Sequence, residues 1–296
     1  MPLSSPLSAS QRVTGKLHLQ FTSDTVHASE TKTVLHVREQ LPPLKVVRAF
    51  PIPAGGALVH LHNISGGVLG GDQLALDVEV APHAYAQLTS TSATRLYQCR
   101  PGISASVQTN RIQVAQDGLL EYLPDPIIPF ANSQYSQHTH IELATGAGLF
   151  WWETLAPGRT AREELFAYTL LQLGLNISVA GRPIAIERLK LEPAKQRIAS
   201  TARFGVYRYY SSFYICKVGL DNATWLRLEQ DLSATAQQLS VPGVISWGVS
   251  MLAAHGLVIR ALSVGGKDIS AGLLTFWHQA KMALYGREAH PPRKMY

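Results

Sequence analysis

The sequence predicts a mainly β fold with two α-helices late in the chain. Three observations carry this. Apolar and polar residues alternate over short stretches along most of the chain. Gly, Pro, Asn and Asp interrupt those stretches at short intervals, which implies about ten or more strands. Helical spacing of apolar residues occurs only after residue 220.

Residues 1–15 are expected to form a loose leader, with the Ser/Pro-rich stretch Met1 to Ser10 at its start. Residues 16–296 show no linker and no fixed-period repeat, so they are read as a single β-rich domain. Gln73 to Val80 is the clearest strand, with Leu74, Leu76, Val78 and Val80 on one face. Ala57 to His62, Arg111 to Ala115, Thr139 to Leu143, Leu165 to Leu171 and Pro183 to Leu191 also read as strands. Leu123 to Phe130 carries three prolines, which fix φ and remove donors, so it reads as a corner that excludes a central strand. Phe150-Trp151-Trp152-Glu153 reads as an aromatic strand with core on one face. Val206 to Val218 is rich in Tyr and Phe and favours β structure. Val241 to Ile259 is free of charge but broken by Pro, Gly and His. It reads as two buried strands around His255-Gly256, not a membrane span. Asn222 is expected to cap a first helix carrying Leu228, Leu232, Ala236 and Leu239. Asp268 or Ser270 is expected to cap a second, carrying Leu273, Trp277, Ala280 or Lys281, and Leu284, and ending at Gly286.

Only 16% of the residues are charged, below the roughly 25% of ordinary soluble chains. Such a surface suits a subunit of an assembly, and a large β core gives the same composition. The net charge is +6, with a C-terminal cluster of Lys281, Arg287, Arg293 and Lys294 against Glu288. No basic run is interleaved with aromatics, so nucleic acid is not expected as a partner. Cys99 and Cys216 are far apart and in no metal-type spacing, which fits a reducing compartment. No secretory signal is visible, and a cytoplasmic protein is expected.

The densest motif is Ser65-Gly66-Gly67-Val68-Leu69-Gly70-Gly71-Asp72. Gly66, Gly67, Gly70 and Gly71 point to positive φ or close backbone approach. A phosphate loop needs a following helix and usually a Lys or Ser/Thr. Here a strand follows and the run ends in an acid, so a tight turn is expected. His60-x-His62 and His138-x-His140 each place two imidazoles on one side of a strand, a pattern that suits a borderline ion such as nickel or zinc. Each pair lacks a third ligand nearby in sequence, and exposed strand histidines are the plainer reading. No Gly-x-Ser-x-Gly elbow is present, and Glu163 and Glu164 would point to opposite faces of a strand, so no catalytic centre is apparent. Glu153 lies among large apolar residues and needs a partner, for which Arg159 or Arg162 is expected.

These segments, in order, resemble the UreD (UreH) family of urease accessory proteins. The resemblance runs through Leu44 to Phe50, Ser65 to Asp72 with Leu74 and Leu76, and Thr89 to Tyr97 with Ala93-Thr94-Arg95. It continues through Tyr122 to Phe130, Trp152-Glu153 to Arg159, the late helix and Pro292-Arg293, covering about residues 40 to 296. The tail Lys294-Met295-Tyr296 departs from the family's usual aromatic ending. The resemblance implies a β-helix-like fold with two helices and a non-catalytic chaperone role. It implies the accessory proteins UreF and UreG and apo-urease as partners, with no tightly bound cofactor and nickel carried only transiently. It also implies an internal polar tunnel, near which Asp72, Thr89, Arg95 and Glu153 are placed. Asp72 is the first candidate for a transient nickel contact. His60 and His62 are candidates from the sequence pattern alone. The alternatives are a β-helical carbohydrate-active hydrolase, which needs clustered carboxylates in an outer groove, and a binding module without a metal role.

Overall fold

The structure is a computed structural model describing residues 13–27, 30–198, 200 and 203–292. Most of the expected leader, and the tail from Arg293, lie outside the described residues. The leader is shorter than expected, because β1 (Thr14–His27) already includes Thr14 and Gly15. Thr14 pairs in parallel with Gln73, and a Cβ on Gly15 would stand 2.6 Å from Pro43 Cδ. These positions are held in the sheet by their own contacts.

The next strands are β2 (Glu30–Leu41), β3 (Leu44–Lys45), β4 (Ala49–Ile52), β5 (Gly56–Asn63), β6 (Gln73–Val80), β7 (Tyr85–Ser90) and β8 (Thr94–Leu96). They are followed by β9 (Ser106–Val114), β10 (Leu119–Tyr122), β11 (Ile127–Pro129), β12 (Gln134–Leu143) and β13 (Gly148–Leu155). The chain ends with β14 (Leu170–Val179), β15 (Arg182–Leu191), β16 (Tyr209–Lys217), α1 (Asn222–Leu239), β17 (Ile245–Met251), β18 (Gly256–Ser263) and α2 (Gly266–Tyr285).

The strands form two sheets. Sheet A runs β15-β14-β12-β9-β6-β1-β2 and sheet C runs β17-β18-β16-β13-β10-β7-β5-β3. In the middle of the chain consecutive strands alternate between them. Thus β6, β9, β12 and β14 stack in parallel in sheet A, and β5, β7, β10 and β13 stack in parallel in sheet C. Antiparallel hairpins finish both sheets at β14–β15 and at β16–β18–β17.

Alternation along each strand decides the packing. Leu76, Val78, Ile112, Val114, Ile141 and Leu143 face Leu120, Leu149 and Trp151 of sheet C in one apolar cluster. The other face of sheet C offers Phe150, Trp152, Phe213 and Ile215 to the helices. Sheet C is therefore buried on both faces, and the aromatic strand packs on two sides, not one. The helices answer with Trp225, Leu228 and Leu232 from α1 and Leu273, Phe276 and Trp277 from α2. Among the described residues no helix is long and apolar enough to cross a membrane.

Several boundaries differ from the sequence reading. Asp221, not Asn222, caps α1, its Oδ1 accepting from Thr224 N at 2.7 Å. Gly265 precedes α2, so that helix starts before both expected caps, and Gly286 ends it in the left-handed region as expected. Leu165 to Leu171 is mostly not a strand. A short 3₁₀ turn at Thr160–Arg162 and positive φ at Glu163 and Phe166 delay the strand to Leu170. The proline-rich corner does contain a strand, β11, which places Pro129 at its end. The charge-free run folds as β17, a turn and the start of β18, but β17 is half exposed. Cys99 and Cys216 are both buried and free.

Candidate functional site

The Gly-rich run is held by its neighbours as much as by its own turn. Val68 bridges Leu96 in parallel, accepting from Tyr97 N and donating to Arg95 O, each at 2.8 Å. Gly66 and Gly71 have φ of 75° and 87°. At Gly67 the reason is space, since a Cβ would stand 2.5 Å from Arg95 O. Asp72 closes the turn. Its Oδ2 accepts from Leu69 N at 2.9 Å, while its own N–H donates to Leu69 O at 3.1 Å. Burial raises the Asp72 pKa, and backbone donors from Leu69 and Val13 oppose the rise.

Beside the run lies a cavity of about 90 Å³. His62, Gly66, Gly67, Ser90 to Thr94, Gln108 and Tyr122 line it. Burial lowers the His62 pKa, and His60 adds to the effect. His60 pairs with Thr89 across β5 and β7 and meets the Phe50 ring edge-on at 5.7 Å. Thr89 is fully buried, its hydroxyl donating to Leu123 O at 2.7 Å. Arg95 is exposed and reaches Gly66 O at 3.5 Å. His138 and His140 lie on the exposed face of β12. The fold thus brings His62 and the glycines to one cavity, while Asp72 faces its own turn and Glu153 lies deeper. Among the described residues, no three His, Cys, Asp or Glu are grouped to hold a metal ion.

From that cavity a line of polar groups enters the space between the sheets. β9 and β12 each begin with inward polar residues: Ser106, Gln108 and Asn110 stack on Tyr135, Gln137 and Thr139. The Tyr135 hydroxyl lies 3.1 Å from Gln108 Oε1 and 2.9 Å from Gln137 Oε1, and its one proton serves either acceptor. Asn110 Nδ2 donates to Thr139 Oγ1 at 3.0 Å. Gln137 Nε2 donates to Glu153 Oε1. Glu153 does not pair with an arginine. Arg159 instead binds Glu164, with Nε 2.7 Å from Oε2, and stacks over Phe130. Burial pushes the Glu153 pKa up to about 7, the Gln137 bond opposes this, and the Glu187 carboxylate adds to it.

Glu187 continues the line. It accepts from Tyr210 at 2.8 Å, from the Tyr214 hydroxyl, and from Arg260 Nη2 at 3.0 Å. Beyond it a second cavity of about 640 Å³ opens to solvent. The sequence reading missed Gln108, Tyr135, Gln137 and Glu187. The available signal was polar residues on the inward parity of otherwise alternating strands.

The Glu153 environment has a measurable consequence. Its unfolded carboxyl titrates near 4.5 and its folded one near 7. Between those values the folded chain keeps a proton that the unfolded chain has lost, so this group's stabilisation is complete below about 4.5 and lost by about 7. Glu153→Gln is expected to flatten that fall by about 1–3 kcal/mol between pH 5 and pH 8. Urea unfolding at the two pH values measures it, and an unchanged pH dependence would count against the buried carboxylate.

Chemically, the line offers amide, phenol and carboxylate oxygens in sequence. Such groups replace water around a cation one at a time.

The chain matches the family described as UreD urease accessory protein over residues 13–296. It is similar to urease accessory protein UreD of Herpetosiphon aurantiacus, with 47% identity over 97% of this chain and 98% of that protein. It is 34% identical to the protein of that name from Pseudomonas fluorescens, over 89% of this chain and 88% of the relative. Its identity with the Marinobacter nauticus protein is 31%, over 96% and 92% of the two chains.

Proposed function

The chain belongs to the UreD family of urease accessory proteins, and we propose from that premise that it joins a UreF–UreG complex to apo-urease and passes nickel through its core. As a family member it serves urease maturation and is not an enzyme. The single observation that carries the nickel reading is the polar line from Gln108 through Tyr135, Gln137 and Glu153 to Glu187, set between two otherwise apolar faces. A run of buried and half-buried polar groups between two sheets is costly unless it is used or fully bonded, and this run reaches a cavity at each end.

Glu153 is the central contact on this path. His62 lines the first cavity, His60 lies two positions earlier on the same strand, and Thr89 and Arg95 bracket the segment 90–94 that lines it. Asp72 would act there only by giving up its bond from Leu69. Nickel is cargo in this reading, and no tightly held cofactor is required. The alternating parallel strands support a β-helix-like reading of residues 16–296 as one domain. Two buried free cysteines suit a reducing cytoplasm. The hydrolase alternative needed carboxylates in an outer groove, whereas Glu153 and Glu187 lie between the sheets, held by Gln137 and two tyrosines.

The test co-expresses urease and its accessory proteins with Glu153→Gln or Asp72→Ala and measures nickel per purified urease. Glu153→Gln is expected to leave the accessory complex assembled and to lower nickel content about tenfold, because a carboxylate contact is lost from the middle of the path. Asp72→Ala is expected to have a smaller effect. Wild-type nickel content with Glu153→Gln in an intact complex would overturn the path.

A further inference from the structure

We propose that the cavity beyond Glu187 is a docking site for an acidic, extended segment of a partner protein, and that docking draws Arg260 away from Glu187. The second clause rests on the nickel path ending at Glu187; the first does not.

The cavity sits where both sheets stop. β15 is the last strand of sheet A and β17 the last of sheet C, and the space between them measures about 640 Å³. Its walls carry four cations, Arg188, Lys190, Arg203 and Arg260, against the single carboxylate of Glu187. Two of these cations are bonded to neutral groups. Arg188 donates to Leu175 O, Glu187 O and Asn176 Oδ1, and Arg203 to Gln196 Oε1. Their charge is therefore balanced by no acid in those bonds. Lys190 is matched by Glu192 at 2.9 Å, as expected of a charge that guards an edge strand. Edge protection does not account for Arg203, which comes from a separate segment, or for Arg260, which comes from the opposite sheet.

Shape narrows the occupant. Phe204 and Tyr210 give the cavity an aromatic wall. Two terminal strands bound a channel suited to an extended chain, whose main-chain groups bond along an edge while its side chains enter pockets. Carboxylates on that chain match guanidinium forks in pairs. Arg260 is the cation shared with the interior. Its side chain is 47% exposed while that of Glu187 is 18% exposed, so an arriving carboxylate reaches the arginine first. Each new bond to Arg260 weakens its hold on Glu187 and leaves that carboxylate to the two tyrosines and to any cation behind it.

The experiment measures binding of a fluorescent ten-residue Glu-rich peptide to the full chain by anisotropy at low salt. The Arg188→Gln/Arg203→Gln double variant is expected to weaken binding about tenfold or more, whereas Lys16→Gln, on β1 four strands beyond β14 in the same sheet, leaves it unchanged. Arg203→Gln alone, at an exposed position, replaces the double variant if that does not fold. Glu187→Gln is expected to tighten binding several-fold by freeing Arg260, and adding Arg260→Gln removes the gain. Equal affinities for the double variant and Lys16→Gln would overturn the docking site. An unchanged affinity in Glu187→Gln would overturn the coupling. Tighter binding of a deoxythymidine decamer than of the peptide would overturn the choice of a protein partner. The assay contains neither nickel nor urease, so its failure leaves the maturation reading standing.

Discussion

Lys281→Ala is expected to destabilise the folded chain by about 3–5 kcal/mol, the cost of leaving a buried carboxylate without its cation. Lys281 lies on α2 and is 1% exposed; Glu121 on β10 is fully buried. Lys281 Nζ stands 2.8 Å from Glu121 Oε1 and donates to Tyr85 Oη at 2.6 Å. Tyr85 passes that bond on to Glu121 Oε2 at 2.8 Å. Gln87 Nε2 and Trp277 Nε1 complete the set at 2.8 and 3.1 Å. Every oxygen of the carboxylate is used, which makes the cluster a tie between α2 and sheet C. Removing the lysine leaves three neutral donors around a full negative charge. The double variant Glu121→Gln/Lys281→Met is expected to recover much of the loss, because a neutral pair avoids desolvating two charges. Urea midpoints check both. A loss below about 1 kcal/mol in Lys281→Ala would mean that water reaches the cluster.

Valine at Gly67 or at Gly71 is expected to cost about 1–3 kcal/mol each, for different reasons. At Gly71 the backbone has φ of 87°, which a β-branched residue resists. At Gly67 the obstacle is outside the residue: the new Cβ would meet Arg95 O at 2.5 Å and the Tyr97 ring at 2.6 Å. One of those neighbours is backbone in a bridge, so it has little room to yield. Gly248→Ala is the control, since open space surrounds that position and its effect should be within about 0.5 kcal/mol. Near-native urea midpoints for both valine variants would remove the packing argument for the run.

Much of the fold was legible because period two is a strong signal where one parity is apolar. β6 was found with its boundaries intact, since Leu74 to Val80 leaves no doubt about the inward face. β9 and β12 were each found only in their second halves. Their first halves carry Gln108 and Asn110, or Tyr135 and Gln137, on the inward parity, and polar residues there hide a strand from an apolar pattern. The same substitution that hid the strands makes the candidate path. Lys281 was read both with the basic C-terminal residues and as an alternative to Ala280 on the second helix, because nothing local distinguishes a charge that will meet Glu121 from one that meets water. Its partner is 160 positions away in the chain by number and becomes adjacent only when α2 lies on sheet C. The misplaced strand at Leu165 failed for a local reason. Phe166 adopts φ of 53° and packs against Tyr168 and Phe204, so its aromatic side chain served a turn.

The register of β9 on β12 places Gln108 beside Gln137 and Asn110 beside Thr139, while Ile112 and Ile141 remain level. One inserted residue inside either strand would exchange its inner and outer faces. The bends are no freer, because 81–84, 115–118 and 144–147 stack by their own hydrogen bonds, His83 N to Gln116 O and Asp117 N to Thr145 O. The natural step by which such a chain lengthens is a complete circuit through both sheets. Each added circuit would bring its own pair of inward positions, so the candidate path and its wall would lengthen together.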